Sequence, residues 1–408
     1  MHFTLTLAWR NLWRHRRRTW ITVSAVVFAL WIITLSRSLQ YGSYNAIESS
    51  AISLVEGDLQ IASPTYFEDH TINQAFALSN LPTEALNSDK IVQWSPRIAG
   101  FGLVSSDASS AGAAIFGIVP EKEPDITRFA GNLVAGEPLN SDQPNQALIG
   151  KTLARQLELN IGDEFAVITQ GYRNAMGAET FVVSGMISLG SPELDRGIAV
   201  LTLKGAQNLF VVEDAATQVA VKTHYFREAE TVANELNRLL EGTKLTARSW
   251  QQIMPDLEQM VAWDNVSGAI LLAFLILVVG FEILNTAMMS VVERRREFGI
   301  LQAIGLNQQQ LAGLLAIEFI LKIVLSVGLG LFVSWLTLTL IKPYPLPLSQ
   351  ELKDAMSIWG ELPNIYFSTE LKVFLEPLIS VTSICLLAII YPVVLALKSD
   401  LVDAMRQG

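Results

Sequence analysis

The sequence predicts an α-helical membrane protein with four transmembrane helices and a large α+β extracytoplasmic domain inserted between helices 1 and 2. Composition is the first reason. Of 408 residues, 50% are hydrophobic and only 17% charged, against roughly a quarter charged in a soluble domain. Placement is the second. The apolar residues gather near the N-terminus and in the last third, and the long middle reads as ordinary globular chain. The third is the position of Lys and Arg, which cluster at alternate ends of the apolar runs and so give each run a direction across the bilayer.

A span needs roughly 20 apolar residues to cross about 30 Å of hydrocarbon. Four segments qualify, centred on Trp20–Leu39, Val266–Val292, Leu311–Ile341 and Val373–Leu397. They predict transmembrane helices over 19–40, 263–292, 311–341 and 372–397. The first run exceeds the roughly 7 to 15 apolar residues of a signal peptide and no small-residue cleavage site follows it, so it is expected to persist. Arg10, Arg14, Arg16, Arg17 and Arg18 precede it without an acidic residue. Arg294, Arg295 and Arg296 follow the second run, and Lys398 and Arg406 the fourth. These flanks read as cytoplasmic. Both termini, the segment 293–310 and the tail 398–408 are then expected inside, with 41–262 and a short loop 342–371 outside.

Before the first span, Leu5, Trp9, Leu12 and Trp13 fall at helical spacing on one face, with Arg10, Arg14, Arg17 and Arg18 on the other. A plain positive flank would need no such periodicity. The spacing favours an amphipathic helix over 1–18 lying among the headgroups, with Trp9 and Trp13 at the interface and Arg14 and Arg17 toward anionic lipid.

The middle alternates short strands and helices. Strands are expected at 58–62, 113–119, 164–169, 180–187, 199–203 and 217–222, and helices at Lys151–Leu159 and Arg227–Leu240. The segment 191–197 reads as a surface loop. No catalytic constellation stands out. His70 and His224 are isolated, no cluster has metal-ligand spacing, and no GxSxG, HExxH or Walker A sequence occurs. Asp163, Asp195 and Asp214 read as solvated loop residues. A net charge of -10 argues against nucleic acid as a partner. The single cysteine, Cys385, cannot form an intrachain disulfide, which suits a bacterial envelope protein.

The segment between the second and third spans, VVERRREFGILQAIGLNQQQL (291–311), is charged at its start and apolar in its middle. A short helix is expected from about Glu297, with Ile300, Leu301 and Ile304 on one side and Gly305 ending it. Pattern alone fits an ordinary interfacial loop as well as a docking helix. Here the sequence resembles a known family. ERRREFGILQAIG (293–305) is similar to the signature that follows the second span in FtsX-like ABC permeases, the group that includes MacB and LolC/LolE. AWRNLWRHRRRT (8–19), NTAMMSVVERR (285–295) and YPVVLALKSDLVDAMR (391–406) resemble the family's start, its exit from the second span and its ending, although Leu401 stands where proline is more usual. LIGKTLARQLELNIGDEFAV (148–167) resembles an element of the family's periplasmic domain.

The resemblance implies a permease subunit of the mechanotransmission type in the bacterial inner membrane, not itself an enzyme. It would bind no cofactor, with ATP and Mg held by a cytoplasmic ATPase dimer. The coupling helix at 293–310 would carry Glu293, Arg294, Arg296, Glu297, Phe298, Gly299, Leu301, Ala303 and Gly305 toward that ATPase. A second permease subunit, identical or related, is implied, along with membrane lipids or lipoproteins and a periplasmic carrier or adaptor protein. Layout is nearest to LolC/LolE and so to lipoprotein release. Efflux with an adaptor and outer-membrane channel, and regulation of a cell-wall hydrolase, are the alternatives. Glu282, Glu318 and Lys322 are polar residues at membrane depth, where ionisable groups mark structure or function. Glu318 and Lys322 are spaced to pair on one helix face, and Glu282, with no evident partner, is the functional candidate of the three.

Overall fold

The computed structural model describes residues 2–14, 16–128, 131–347 and 364–397. The side chain of Leu5, residues 348–363 of the expected outer loop, and the expected tail with Lys398 and Arg406 lie outside the described residues. The chain forms two compact units. One comprises Met1–Tyr44, Val261–Leu346 and Ile365–Gly408, and the other Asn45–Met260 with Pro347–Asn364.

Among the described residues, four helices that lie wholly or mostly in the first unit are long and apolar enough to cross a membrane. They are Arg16–Ala51 with 36 residues, Pro255–Glu293 with 39, Gln308–Ile341 with 34 and Leu371–Leu397 with 27. Even the shortest reaches about 40 Å at roughly 1.5 Å per residue. Their shared core sets Val26, Leu30 and Ile33 of the first against Ile283 and Ala287 of the second, Leu315 and Phe319 of the third, and Val381 and Cys385 of the fourth. Lipid supplies no hydrophobic force between helices, so close van der Waals packing and polar bonds must hold them. At Gly330 the third helix comes so close to Leu30 of the first that a Cβ would strike the leucine side chain.

Polar bonds gather near the outer end of this unit. Arg37 Nε donates to Glu376 Oε2 at 3.0 Å, and Tyr41 donates to the other oxygen of that carboxylate at 2.8 Å. Gln40 Nε2 donates to the Tyr44 hydroxyl at 2.7 Å, and that hydroxyl in turn donates to Asp264. These bonds tie the first helix to the second and fourth. They also explain why the external unit begins at Asn45 rather than at Tyr41 as the sequence implied: both tyrosines are bound into the helical unit. The second helix likewise starts earlier than expected, at Pro255, with proline at its first position and Asp256 and Glu258 in its first turn, the residues a helix N-terminus favours.

Among the described residues the external unit has twelve strands: β1 (59–62), β2 (76–77), β3 (91–105), β4 (110–118), β5 (133–136), β6 (146–150), β7 (164–170), β8 (176–187), β9 (198–202), β10 (215–216), β11 (218–223) and β12 (246–249). Ten form a mixed sheet in the order β12-β1-β11-β3-β4-β9-β6-β8-β5, with β7 pairing β3 and β8. The pairs β4·β9 and β6·β8 are parallel and the others antiparallel. The helix Ala229–Leu239 packs Val232, Ala233 and Leu236 beneath β1 and β11. Lys151–Gln156 and Leu203–Leu209 cover the other half with Leu153, Ala206 and Leu209.

The long strand β3 joins the two halves. Its residues up to Arg97 pair with β11, and from Ile98 it pairs with β4. Arg97 sits at this change of partner, fully buried and paired with the equally buried Glu123, whose carboxylate also accepts from Thr127. The guanidinium donates as well to the carbonyl of Val55, in the π-helical turn Ile52–Glu56 that follows the first long helix.

Two expectations are corrected. The segment 191–197 is no loop: Pro192–Arg196 is a short helix, and Asp195 is buried rather than solvated. Its carboxylate accepts from Ser188 Oγ at 2.8 Å and Leu189 N at 2.6 Å, which replaces the water it gives up. Removing one member of a buried ion pair typically costs about 3–5 kcal/mol, whereas replacing both with apolar groups is often neutral. Arg97→Met is therefore expected to lower the thermal stability of the detergent-solubilised protein sharply, and R97M/E123L to recover most of it. Equal stability of the single variant and the wild type would show that the pair does not hold the sheet.

Candidate coupling site

The second and third long helices are joined by a helix of nine residues, Arg295–Ala303, with Arg294 at its N-cap. Gly305 follows at φ +112°, a backbone conformation that side-chain-bearing residues rarely adopt. The N–H groups of Gly305 and Leu306 return to the carbonyls of Gln302 and Leu301 at 3.0 and 3.1 Å, which closes the helix. Asn307 then opens the third long helix. Its side chain accepts from Gln310 N at 2.7 Å, and Gln310 Oε1 accepts from Asn307 N at 3.0 Å, a reciprocal capping box. That cap starts the helix at Gln308, three residues before the expected position.

The connecting helix divides its residues between two environments. Phe298 and Gly299 are buried, and Leu301 packs against the bundle core. Ile300 and Ile304 are 54% and 75% exposed, and Arg296, Ala303 and Gly305 are exposed beside them. Helical spacing alone places Ile300, Leu301 and Ile304 on one side. In the structure Leu301 turns inward and the two isoleucines remain for something else to cover.

Charge fixes the inner side. Glu318, buried on the third long helix, accepts from Arg294 Nη1 at 2.8 Å and Lys322 Nζ at 3.1 Å. Arg294 also donates through Nε to Glu297 at 3.1 Å, and its guanidinium lies 5.3 Å from the centre of the Phe298 ring. Burial works against the Arg294 charge, but Glu318 and then Glu297 more than offset it and hold its pKa above the ordinary value. Arg14 reaches Glu297 at 3.4 Å. Arg18 pairs with Glu293 and donates to the carbonyl of Thr286 at 2.6 Å. Arg18 and Glu293 thus join the start of the first long helix to the end of the second, and a separate chain of ion pairs, Arg14–Glu297–Arg294–Glu318–Lys322, runs across the connecting helix to the third.

Several of these links go beyond the sequence reading. It paired Glu318 with Lys322 but did not add Arg294, which lies 24 positions away; nothing local in a sequence shows such a pair. In the sequence Arg18 is only one of several cations in a positive flank. The Asn307–Gln310 box, by contrast, had a legible signal in its spacing. Glu282 is not part of this cluster: it is exposed on the second long helix, where Thr286 Oγ1 donates to it at 3.4 Å.

The amphipathic segment forms a helix, His2–Arg14. Its inward residues are Ala8 and Leu12, while Trp9 is exposed and Trp13 half-buried. Leu12 therefore leaves the face that the spacing gave it beside the tryptophans. The Thr19 hydroxyl donates to the carbonyl of Leu12 at 2.8 Å, tying this helix to the base of the first long one.

Residues 269–401 match the FtsX-like permease C-terminal domain, and residues 19–239 match the MacB-like periplasmic core domain. The chain belongs to the FtsX-like, MacB-type family of ABC transporter permeases. The permease is 29% identical over 225 residues to the lipoprotein-releasing system transmembrane protein LolC of Xylella fastidiosa, a match that covers 52% of this chain and 54% of that protein. The permease thus spans about half the length of the curated relatives it matches first. An uncharacterized ABC transporter permease of Methanocaldococcus jannaschii is 20% identical over 332 residues, covering 77% of this chain and 78% of its own. The periplasmic region of MacB from Actinobacillus actinomycetemcomitans aligns with a TM-score of 0.36 at 15% identity, over 51% of this chain and 94% of that one.

The geometry separates the acidic residues by burial. Glu318→Ala strands two buried cations and is expected to destabilise the permease by about 3–5 kcal/mol. Glu297→Ala, at a partly exposed position, should cost about 1 kcal/mol or less. Thermal unfolding of both variants in detergent checks this, and equal effects would remove Glu318 from the centre of the network.

Proposed function

We propose that this permease couples ATP hydrolysis in a separate cytoplasmic ATPase to movement of its external domain, and that it serves lipoprotein release from the inner membrane. The observation that carries the coupling is the divided connecting helix. Ile300 and Ile304 face outward, uncovered among the described residues, and such isolated apolar side chains on a short charged helix suit a groove in a soluble protein. On the opposite side, Phe298, Leu301 and Arg294 anchor the same nine residues to the helix bundle. A push received by the isoleucines would therefore pass to three long helices together.

Glu293, Arg296, Ala303 and Gly305 complete the surface we assign to this contact. No residue of the permease performs chemistry in this scheme, and ATP and Mg belong to the partner. The first and second long helices run without a break in the backbone into the sequence of the external domain, which gives displacement a covalent route outward. Glu282, an exposed carboxylate at membrane depth, needs cover from protein or water, and a second permease subunit would supply it.

Lipoprotein as cargo rests on the LolC relatives, whose name states that role for them. The decisive experiment is purification of the native complex in mild detergent with identification of what accompanies it. An ATPase with lipoproteins or a periplasmic carrier supports the reading. An adaptor with an outer-membrane channel would transfer it to efflux, and a cell-wall hydrolase to regulation.

Coupling has its own test. Ile304→Asp is expected to cut cargo-stimulated ATP turnover of the reconstituted complex by about tenfold or more, the loss of a docking residue worth about 1.4 kcal/mol, and Glu297→Lys, which breaks the ties to Arg14 and Arg294 that hold the connecting helix, is expected to do the same. Isolated Ile304→Asp permease should melt within a degree or so of wild type, since that side chain touches little in its own chain. Undiminished stimulated turnover in both variants would sink the assignment.

A further inference from the structure

At the base of the helical unit lies a cavity of about 550 Å³, within the range of roughly 300–1,000 Å³ usual for small-molecule sites. Three carboxylates line it, Glu293, Glu297 and Glu318, and all three are engaged. Their partners are Arg18, Arg14 with Arg294, and Arg294 with Lys322. Arg16 and Arg17 line the same cavity and have no carboxylate partner among the described residues. Six basic side chains thus face three acidic ones, an excess of three positive charges around one half-open cavity.

The aromatic side chains give its level. Trp20, 49% exposed, stands edge-on to Trp13 at 6.1 Å, and Trp13 to Trp9 at 5.9 Å. A run of indoles at the end of an apolar helix marks the headgroup zone of a bilayer. Arg16 and Arg17 open the same helix a few residues earlier, so their guanidinium groups stand where lipid phosphates lie on the cytoplasmic side.

We infer that this cavity binds the phosphate headgroup of an anionic phospholipid from the cytoplasmic leaflet, with Arg16 and Arg17 as its ligands. The recognised chemistry is a phosphate oxyanion, which guanidinium groups meet with paired N–H donors. The favoured source is lipid rather than free phosphate, because the surrounding tryptophans hold the site at the bilayer edge. An acidic segment of the ATPase would satisfy the same charge, but would need no indole belt beside it. The bound headgroup would sit against Arg14 and Glu297, and so against the connecting helix. The inference concerns the permease's lipid surroundings and stands whether or not lipoprotein is the cargo.

The test uses the full permease with its ATPase, examined by native mass spectrometry in mild detergent. Phosphatidylglycerol, phosphatidylcholine of the same acyl chains, and inorganic phosphate are added in turn. Wild type is expected to retain phosphatidylglycerol in preference to phosphatidylcholine. Arg16→Gln with Arg17→Gln should lower that preference about 25-fold, or about fivefold for each cation near an anionic surface. Arg16→Lys with Arg17→Lys should keep most of it, and Arg10→Gln, outside the cavity, should keep all of it. These are exposed positions, and the lysine pair separates loss of charge from loss of fold. Equal retention of the two lipids would overturn the proposal, as would an equal loss in Arg10→Gln. Displacement of the lipid by inorganic phosphate at matched concentration would make this a free-anion site instead. Release of the ATPase from the double glutamine variant, with lipid retention unchanged, would give the arginines to the partner protein.

Discussion

Burying a carboxylate among packed helices is tolerable only if cations come with it, and Glu318 brings two. One, Lys322, is a turn away on the same helix. The other, Arg294, belongs to the short helix that precedes it, so satisfying Glu318 fixes where that helix lies. Arg294 then holds Glu297, and Glu297 is shared with Arg14. The position of the connecting helix is in this sense an electrostatic necessity of the bundle. Its apolar anchors, Phe298 and Leu301, follow from that placement. Ile300 and Ile304 are left outside because the helix has no second buried side to offer them.

Much of this was legible in the residues. Long apolar runs announce membrane-length helices because a hydrocarbon layer admits few other structures, and the ERRREFGILQAIG segment led to the family. Alternation located six of the strands in the external domain to within a few residues. What stayed hidden shares one property: it depends on contacts between residues far apart in sequence. Arg37 lies in an apolar run, and nothing near it in the sequence points to Glu376, the carboxylate it meets 339 positions away. Asp195 looked solvated because nothing in SPELDRG shows that Ser188 and Leu189 will turn their donors toward it. Strand β3 escaped for another reason. Pro96, Arg97 and three glycines or alanines break its alternation, and only pairing with two different neighbours keeps it extended.

The two ends of the helical unit are stabilised by different means. The outer end uses tyrosine hydroxyls and a single arginine, groups that tolerate partial exposure, on carboxylates of the second and fourth helices. The inner end uses guanidinium and ammonium groups on the third. The first helix takes part in both, through Arg37, Tyr41 and Tyr44 at one end and Arg18 at the other. The second helix does so as well, through Asp264 at one end and Glu293 at the other, so these two helices are the members along which a disturbance at either end is felt at the other.

The sheet order has a consequence for biogenesis. Strand β1 is the first of the external domain to leave the membrane during synthesis, yet its hydrogen-bonding partners β11 and β12 are the last. Its two edges must wait until almost the whole domain has been translocated. The half of the sheet built on β4, β6, β8 and β9 has its partners nearer in sequence and can assemble while β1 is still unpaired. An exposed strand of this kind is a template for wrong pairing. Proper maturation therefore depends on how quickly residues 218–249 follow, which makes the rate of export a determinant of the yield of folded protein.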